Sequence, residues 1–363
     1  MKLFSCGACG QTLYFHNVQC TRCGNLLGFV PERLQLETFE PAGDGRWRPF
    51  DRARRGERYV SCANYAQHGA CNWMVPVAEA HPLCVACRLN RTIPDLSVPG
   101  NLTLWQRLQQ EKNLLIYALL RFGLPVRDKQ QAPRGGLAFD FLADENPSFR
   151  ESAGVTVGHA QGVITLDIAE ADDALRERVR QQMAEPYRTI LGHFRHESGH
   201  YYWDRLVRGS PWQGAFRQRF GDETADYGLA LDRHYGSGPP LDWQQRHVSA
   251  YASAHPWEDW AETWAHYLHM VDTLETAWQF GLRLEPDVAE PEALRIDEPF
   301  DPYQRRDFDA LMKHWLALVA SLNSLNHSMG LGDAYPFVLA APVIDKLRLV
   351  HEIICDPGGE GRG

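Results

Sequence analysis

His196 and His200, with Glu197 between them, are the residues whose types and spacing most directly suggest chemistry. On a helix the two histidines stand one turn apart on one face, so both imidazoles can reach a single metal ion. Glu197 lies beside them and can meet a metal-bound water. Zinc lowers the pKa of such a water toward about 7, and the carboxylate takes its proton as the water attacks a carbonyl. The segment is an HExxH arrangement, and the chemistry it suggests is metal-assisted hydrolysis.

Two histidines are too few for such a site, which needs a third protein ligand and an open position. A metal-ligating imidazole also needs a partner for its other ring nitrogen. The segment from Tyr251 to His269 can supply both. Pro256 fits a helix start, and Glu258 and Glu262, four residues apart, then share a face. Trp257, Trp260, Ala261, Trp264 and Ala265 surround them, so this helix is expected to be buried, and buried carboxylates need charged or hydrogen-bonded partners. Asp204, four residues after His200, is a candidate to orient that ring. His193 precedes His196 by three residues and is read as a packed or water-bonded side chain rather than a ligand. Tyr201 and Tyr202 either line the cleft or pack, and His266 and His269 are read as structural. Cys355, placed in the C-terminal tail, receives no role.

Eight of the nine cysteines precede residue 88. Cys6-Gly-Ala-Cys9 and Cys20-Thr-Arg-Cys23 form two knuckles that supply four thiolates to one tetrahedral zinc. Cys62, Cys71, Cys84 and Cys87 make a second set of four, with a wider first spacing. Closed all-cysteine sites leave no coordination position for reaction, so both zincs are expected to be structural. The first 98 residues carry 11 Lys+Arg and 8 Asp+Glu, a net +3, against −12 for the remainder. Eight thiolates and two Zn²⁺ bring the first part to about −1. That argues against nucleic acid as a partner, and the run Arg46, Arg48, Arg52, Arg54, Arg55 and Arg58 is read as a solvated loop.

These sites must be positioned by a chain of 363 residues with 44% hydrophobic content, enough for more than one core. A linker is expected at Thr92–Asn101, a helix over 102–123, and strands at 137–143 and 154–168 around a turn at Gly158–Gln161. From about 171 the pattern is helical, with one helix beginning near Pro186. The fold class is therefore α+β and mostly helical. A small zinc-ribbon or rubredoxin-like β domain at 1–98 precedes a catalytic domain with a small antiparallel sheet at 99–355, and 356–363 form a flexible tail. The apolar stretches are too short to span a bilayer, no signal peptide fits the first residues, and paired cysteines used as metal ligands suit the cytoplasm.

The double cysteine set, the segment Gly192–Asp204 and the segment His255–Leu268 together resemble the bacterial zinc-binding metallopeptidase family that carries an N-terminal zinc ribbon. The resemblance covers nearly the whole chain and implies a zincin-like fold. More distantly the chain is similar to the gluzincins, the group of thermolysin and anthrax lethal factor. That likeness implies Glu258 as third zinc ligand, Glu262 as the acid supporting His196, and Tyr251 facing the substrate oxyanion. The separation of His200 from Glu258 is longer than in thermolysin, which keeps Asp259, Glu262 and His255 as alternative third ligands. The resemblance further implies an extended substrate along the strand at 162–168.

The expected function is a zinc-dependent metallopeptidase with Glu197 as general base, one catalytic and two structural Zn²⁺ ions, and a peptide or protein substrate. The ribbon is a candidate surface for a protein partner. The alternatives are a zinc-ribbon adaptor with a non-catalytic HExxH site, and a zinc hydrolase of a non-peptide amide or ester.

Overall fold

The computed structural model describes residues 2–143, 158–183, 189–288 and 290–358. It divides into two compact units, Met1–Phe149 with Val157–Val179, and Arg150–Thr156 with Arg180–Gly363.

The first unit begins with β1 (Phe4–Ser5) and β2 (Thr12–Leu13), an antiparallel pair flanking the first cysteine knuckle. The two knuckles close alike. Gly10 N donates to Cys6 O and Gly24 N to Cys20 O, both at 2.8 Å, and each glycine has φ near 74°. That left-handed conformation is open to glycine at little cost. An antiparallel five-stranded sheet follows, formed in order by β3 (Leu26–Val30), β4 (Gln35–Gly43), β5 (Arg46–Pro49), β6 (Tyr59–Ser61) and β7 (Met74–Pro76). The helix α1 (Ala63–His68) starts directly after Cys62. Val30, Phe39, Tyr59 and Met74 form one small core, and Phe15, Phe29 and Trp73 form an aromatic one.

Beyond them come β8 (Asn90–Thr92) and α2 (Asn101–Arg121). Tyr117 of α2 closes the aromatic core, its ring centroid 5.3 Å from Phe15 and 5.9 Å from Phe29. A small zinc domain has little core of its own, and this helix enlarges it. The expected linker therefore holds a strand at its start and leads into a helix that packs with the ribbon. The unit ends with β9 (Ala138–Leu142), β10 (Gly158–Ala160), β11 (Val163–Asp167) and the start of α3 (Asp173–Met183).

The last four strands pair in the order β10-β11-β9-β8. β10 and β11 are an antiparallel hairpin, whereas β11–β9 and β8–β9 are parallel. The hairpin turn is Gln161-Gly162, both with positive φ, which suits the twist of the flanking strands. Gly158 belongs to β10, so the turn is shorter than expected. The strand expected as a substrate-binding edge is β11, and it lies inside the sheet with neighbours on both sides. Its backbone groups are already engaged, which overturns that expectation. The expected strand residues 154–157 lie outside the described residues, as do Pro186 and 359–363.

The second unit is built by α4 (Ile190–Leu206), α5 (Gln213–Phe220), α6 (Tyr227–Ser237), α7 (Pro256–Gln279), α8 (Phe308–Ser328) and α9 (Ala341–Cys355). α4 begins at Ile190, where the Thr189 hydroxyl accepts from Gly192 N at 2.9 Å. It buries twelve of its 17 residues, so it is covered on nearly every side. α7 starts at Pro256 with His255 as its cap, preceded by a single 3₁₀ turn at Tyr251–Ser253.

α4 and α7 cross closely at Gly199. A Cβ there would stand 2.9 Å from Ala261 Cα and 3.2 Å from Trp264 Cβ. Trp260 Nε1 donates to Gly199 O at 2.9 Å, and Trp264 Nε1 to Ser198 Oγ at 3.1 Å. Small residues at the crossing and tryptophans around it bring two helix backbones near enough for short side chains to meet. The α+β class holds, with small sheets in the first unit and helices dominating the second. Among the described residues no helix is long and apolar enough to cross a membrane.

Candidate metal centres

Among the described residues, three groups of side chains converge closely enough to hold a metal ion: Cys6, Cys9, Cys20 and Cys23; Cys62, Cys71, Cys84 and Cys87; and His196, His200 and Glu258. The cysteines are free thiols rather than disulfides. Zinc–sulfur bonds of about 2.3 Å place the corners of a tetrahedron about 3.8 Å apart. Cys6–Cys23 and Cys9–Cys20 are separated by 3.6 Å at sulfur, and Cys71–Cys84 by 3.8 Å. Both sets fit zinc.

The two cysteine centres differ in their surroundings. Cys23 of the first is exposed, whereas all four cysteines of the second are buried. Trp73 N donates to Cys71 Sγ and Cys84 N to Cys62 Sγ, both at 3.4 Å, and Asn113 Nδ2 of α2 reaches Cys71 Sγ at 3.7 Å. Lys112 of α2 is fully buried nearby. Its ammonium donates to Ala86 O at 2.9 Å and to Asn90 Oδ1, and lies 5.2 Å from the Phe139 ring. Burial pushes this amine below the usual lysine range, and the neighbouring Cys87, Cys84, Cys71 and Cys62 offset only part of that. Four thiolates and Zn²⁺ sum to −2, so a buried cation compensates in part. Three of the six arginines in the run form ion pairs within the ribbon, Arg54 with Glu37 and Glu57, and Arg48 and Arg55 with Glu40, while Arg46 and Arg52 are exposed.

In the second unit, His196 Nε2 lies 3.2 Å from His200 Nε2 and 3.0 Å from Glu258 Oε2, and His200 Nε2 lies 3.4 Å from Glu258 Oε1. Zinc bonds of about 2.0–2.1 Å would set tetrahedral corners about 3.3 Å apart. The imidazole of His196 is fixed from behind, because its Nδ1 donates to Glu262 Oε1 at 2.6 Å. In that tautomer Nε2 presents a lone pair beside the Glu258 carboxylate. Without a metal a proton on Nε2 relieves the repulsion, since against the effect of burial Glu258 and Glu262 hold this imidazole well above its ordinary range; with Nε2 free, the same donor set fits a metal ion.

The other third-ligand candidates are engaged elsewhere. Asp259 Oδ2 receives Lys346 Nζ at 2.5 Å and His247 Nδ1 at 3.1 Å. His255 caps α7, its Nδ1 accepting from Trp257 N and its Nε2 donating to Ala225 O, each at 3.1 Å. Glu262 supports His196 and accepts from Ser249 Oγ at 2.6 Å.

Glu197 is fully buried. Its Oε1 faces His193 Nε2 at 3.2 Å, and its Oε2 meets no hydrogen-bond donor among the described residues. Burial pushes this carboxyl up, but the His193 hydrogen bond and the charges of His193, His196 and His200 hold it at about 2. The Tyr251 ring lies 5.9 Å from that of His196. Asp204 ion-pairs with Arg208 at 2.7 Å, and the ring against His200 is Trp257, at 4.0 Å. His266 hydrogen-bonds Tyr335 and His269 packs on Trp315. Cys355 ends α9, beside His351, rather than lying in a tail.

Several partners were not legible beforehand. The Tyr227 hydroxyl donates to Glu258 Oε1 at 2.9 Å. Ser249, His247 and Lys346 hold Glu262 and Asp259 from distant segments. Only the His193–Glu197 contact had a sequence signal, the i,i+4 spacing.

The chain is 42% identical over 355 residues to an uncharacterized protein of Mycobacterium tuberculosis and to one of Mycobacterium bovis. The matches cover 98% of this chain and 95% of each relative. No solved structure matches at a significant level. Residues 3–98 match a zinc-ribbon domain. Residues 101–353 match the family described as "Putative zinc-binding metallo-peptidase", and the chain belongs to that family.

Proposed function

We propose that the protein is a zinc metallopeptidase of gluzincin type, with His196, His200 and Glu258 as ligands and Glu197 as general base. The observation that carries this reading is the convergence of His196 Nε2, His200 Nε2 and the two Glu258 oxygens at 3.0–3.4 Å, with the buried Glu197 carboxylate beside it. Zinc bound there would polarise a carbonyl and lower the pKa of a water toward about 7. Glu197 takes the proton of the attacking water and passes it to the leaving amine, a role worth about 10²–10⁴-fold in rate. Glu197 Oε2, buried without a donor, is the oxygen able to accept it, while His193 holds Oε1. Glu262 fixes the His196 ring, and Tyr251, whose ring lies 5.9 Å from that of His196, would assist the developing oxyanion. Peptide as the substrate class is supported by the family. The two cysteine zincs, in a ribbon spanning 1–98, serve structure, and residues 99–355 carry the reaction. Reduced, metal-binding thiols suit the cytoplasm.

The test compares wild-type protein with Glu197→Gln. New peptide termini should appear in a cell proteome exposed to the wild type and be absent with the variant, whose zinc content should stay at three. Chelator should remove one zinc readily and leave two. Equal cleavage by both proteins would remove Glu197 from the mechanism, and a count of two zincs in wild type would remove the third site.

A further inference from the structure

Glu258 is the third ligand in the reading above, and its two oxygens are in different situations. Oε1 accepts the Tyr227 hydroxyl at 2.9 Å. Oε2 is buried, accepts no hydrogen bond among the described residues, and stands 3.0 Å from His196 Nε2. His196 Nε2 thus approaches Oε2 closely, as two atoms facing one metal position would. Glu258 itself is fully buried, so no bulk water competes for either oxygen.

Tyr227 is the first residue of α6, whose cap is Asp226, with its side chain accepting from Leu229 N at 2.9 Å. Its ring is set edge-on to His255 at 5.3 Å and to Trp257 at 6.0 Å. His255 is in turn fixed as the cap of α7, the helix that carries Glu258. The phenol is thereby held from two sides, with its hydroxyl on one carboxylate oxygen.

The geometry points to Tyr227 as a positioning residue that makes Glu258 a one-oxygen ligand. A carboxylate with both oxygens available can bind zinc through either or both. Occupying Oε1 with an O–H donor leaves Oε2 as the better metal donor. Two imidazoles and one oxygen would then supply three protein ligands to a bound zinc and leave a position for water and substrate, as a hydrolytic zinc site requires. Glu262 does the equivalent for His196 by fixing which nitrogen faces the metal. This role rests on the metal-site reading above.

The test uses the full chain after chelator has emptied the His/Glu site alone and Co²⁺ has been added. The wild type should show the strong visible absorption of four-coordinate cobalt. Tyr227→Phe should show the weaker bands of five-coordination as Glu258 turns in its second oxygen. Its zinc affinity, from chelator competition, should fall about 10–100-fold, the usual effect of losing a ligand's hydrogen-bond partner. The melting curve of the metal-free variant, compared with wild type, separates this from a folding defect. An unchanged cobalt spectrum and zinc affinity in Tyr227→Phe would overturn the role of Tyr227. So would a five-coordinate spectrum in the wild type, which needs no variant. Failure of the wild type to take up any metal at His196 and His200 would instead overturn the metal-site reading itself.

Discussion

The buried cysteine centre and the His/Glu centre solve opposite problems with similar means. At Cys62, Cys71, Cys84 and Cys87 every ligand is a thiolate, N–H donors face the sulfurs, and Lys112 brings in a buried positive charge. Four ligands close the coordination, so the centre can stabilise but not react. At His196, His200 and Glu258 three candidate ligands converge, His196 held by Glu262 and Glu258 by Tyr227, and the nearby Glu197 Oε2 meets no donor among the described residues. On the proposed function, the difference teaches that reactivity depends less on the metal than on what the surrounding residues leave unsatisfied.

The comparison breaks most decisively if the closed centre proves dispensable. Cys84→Ser removes one of four buried thiolates, and structural zinc contributes about 10–16 kcal/mol in zinc-finger peptides. The expected result is loss of one zinc and of the folded first unit, read by metal analysis and limited proteolysis. A ribbon that stays protease-resistant without that zinc would show that its aromatic core suffices.

Lys112→Met sharpens the electrostatic side. It keeps the bulk of the side chain but removes the cation and leaves Ala86 O and Asn90 Oδ1 without it. Removing one partner of a buried ionic pair costs about 3–5 kcal/mol. Urea unfolding should show a loss near that size. A loss below about 1 kcal/mol would mean that the N–H donors alone balance the thiolates.

Gly199→Ala is the smallest change and acts on the open centre alone. Alanine favours the helix by about 1 kcal/mol over glycine. Its Cβ would stand 2.9 Å from Ala261 Cα, however, and overpacking costs about 1–3 kcal/mol. The contact is with backbone, so overpacking should win. A lowered melting temperature and weaker retention of the third zinc are expected, with both cysteine zincs unaffected. Unchanged retention would mean that the helix crossing does not set the site.

Much of the candidate site was legible because its signals are local. His196, Glu197 and His200 lie within one turn and a half of helix, and each CxxC knuckle is a local turn. Tyr227, Ser249, His247 and Lys346 could not be found this way, since each meets the α7 carboxylates only through chain reversal. The interior position of β11 was missed for a related reason. Alternation along a strand tells which face is buried but not how many neighbours it has. The packing of α2 on the ribbon escaped as well, because its buried face includes Gln109, Lys112 and Asn113, which an apolar periodicity does not register.

The sequence by itself determined the α+β class, the two four-cysteine sets, the paired histidines with Glu197 between them, and a buried acidic helix beside them. Tertiary structure decided which acid does what. Glu258, Asp259 and Glu262 lie within about one turn of α7, and successive residues on a helix differ by about 100°. Their roles depend on the rotation and depth at which α7 meets α4. Gly199 and Ala261 set that depth. At that crossing Glu258 faces both histidines, Glu262 reaches behind His196, and Asp259 turns to Lys346.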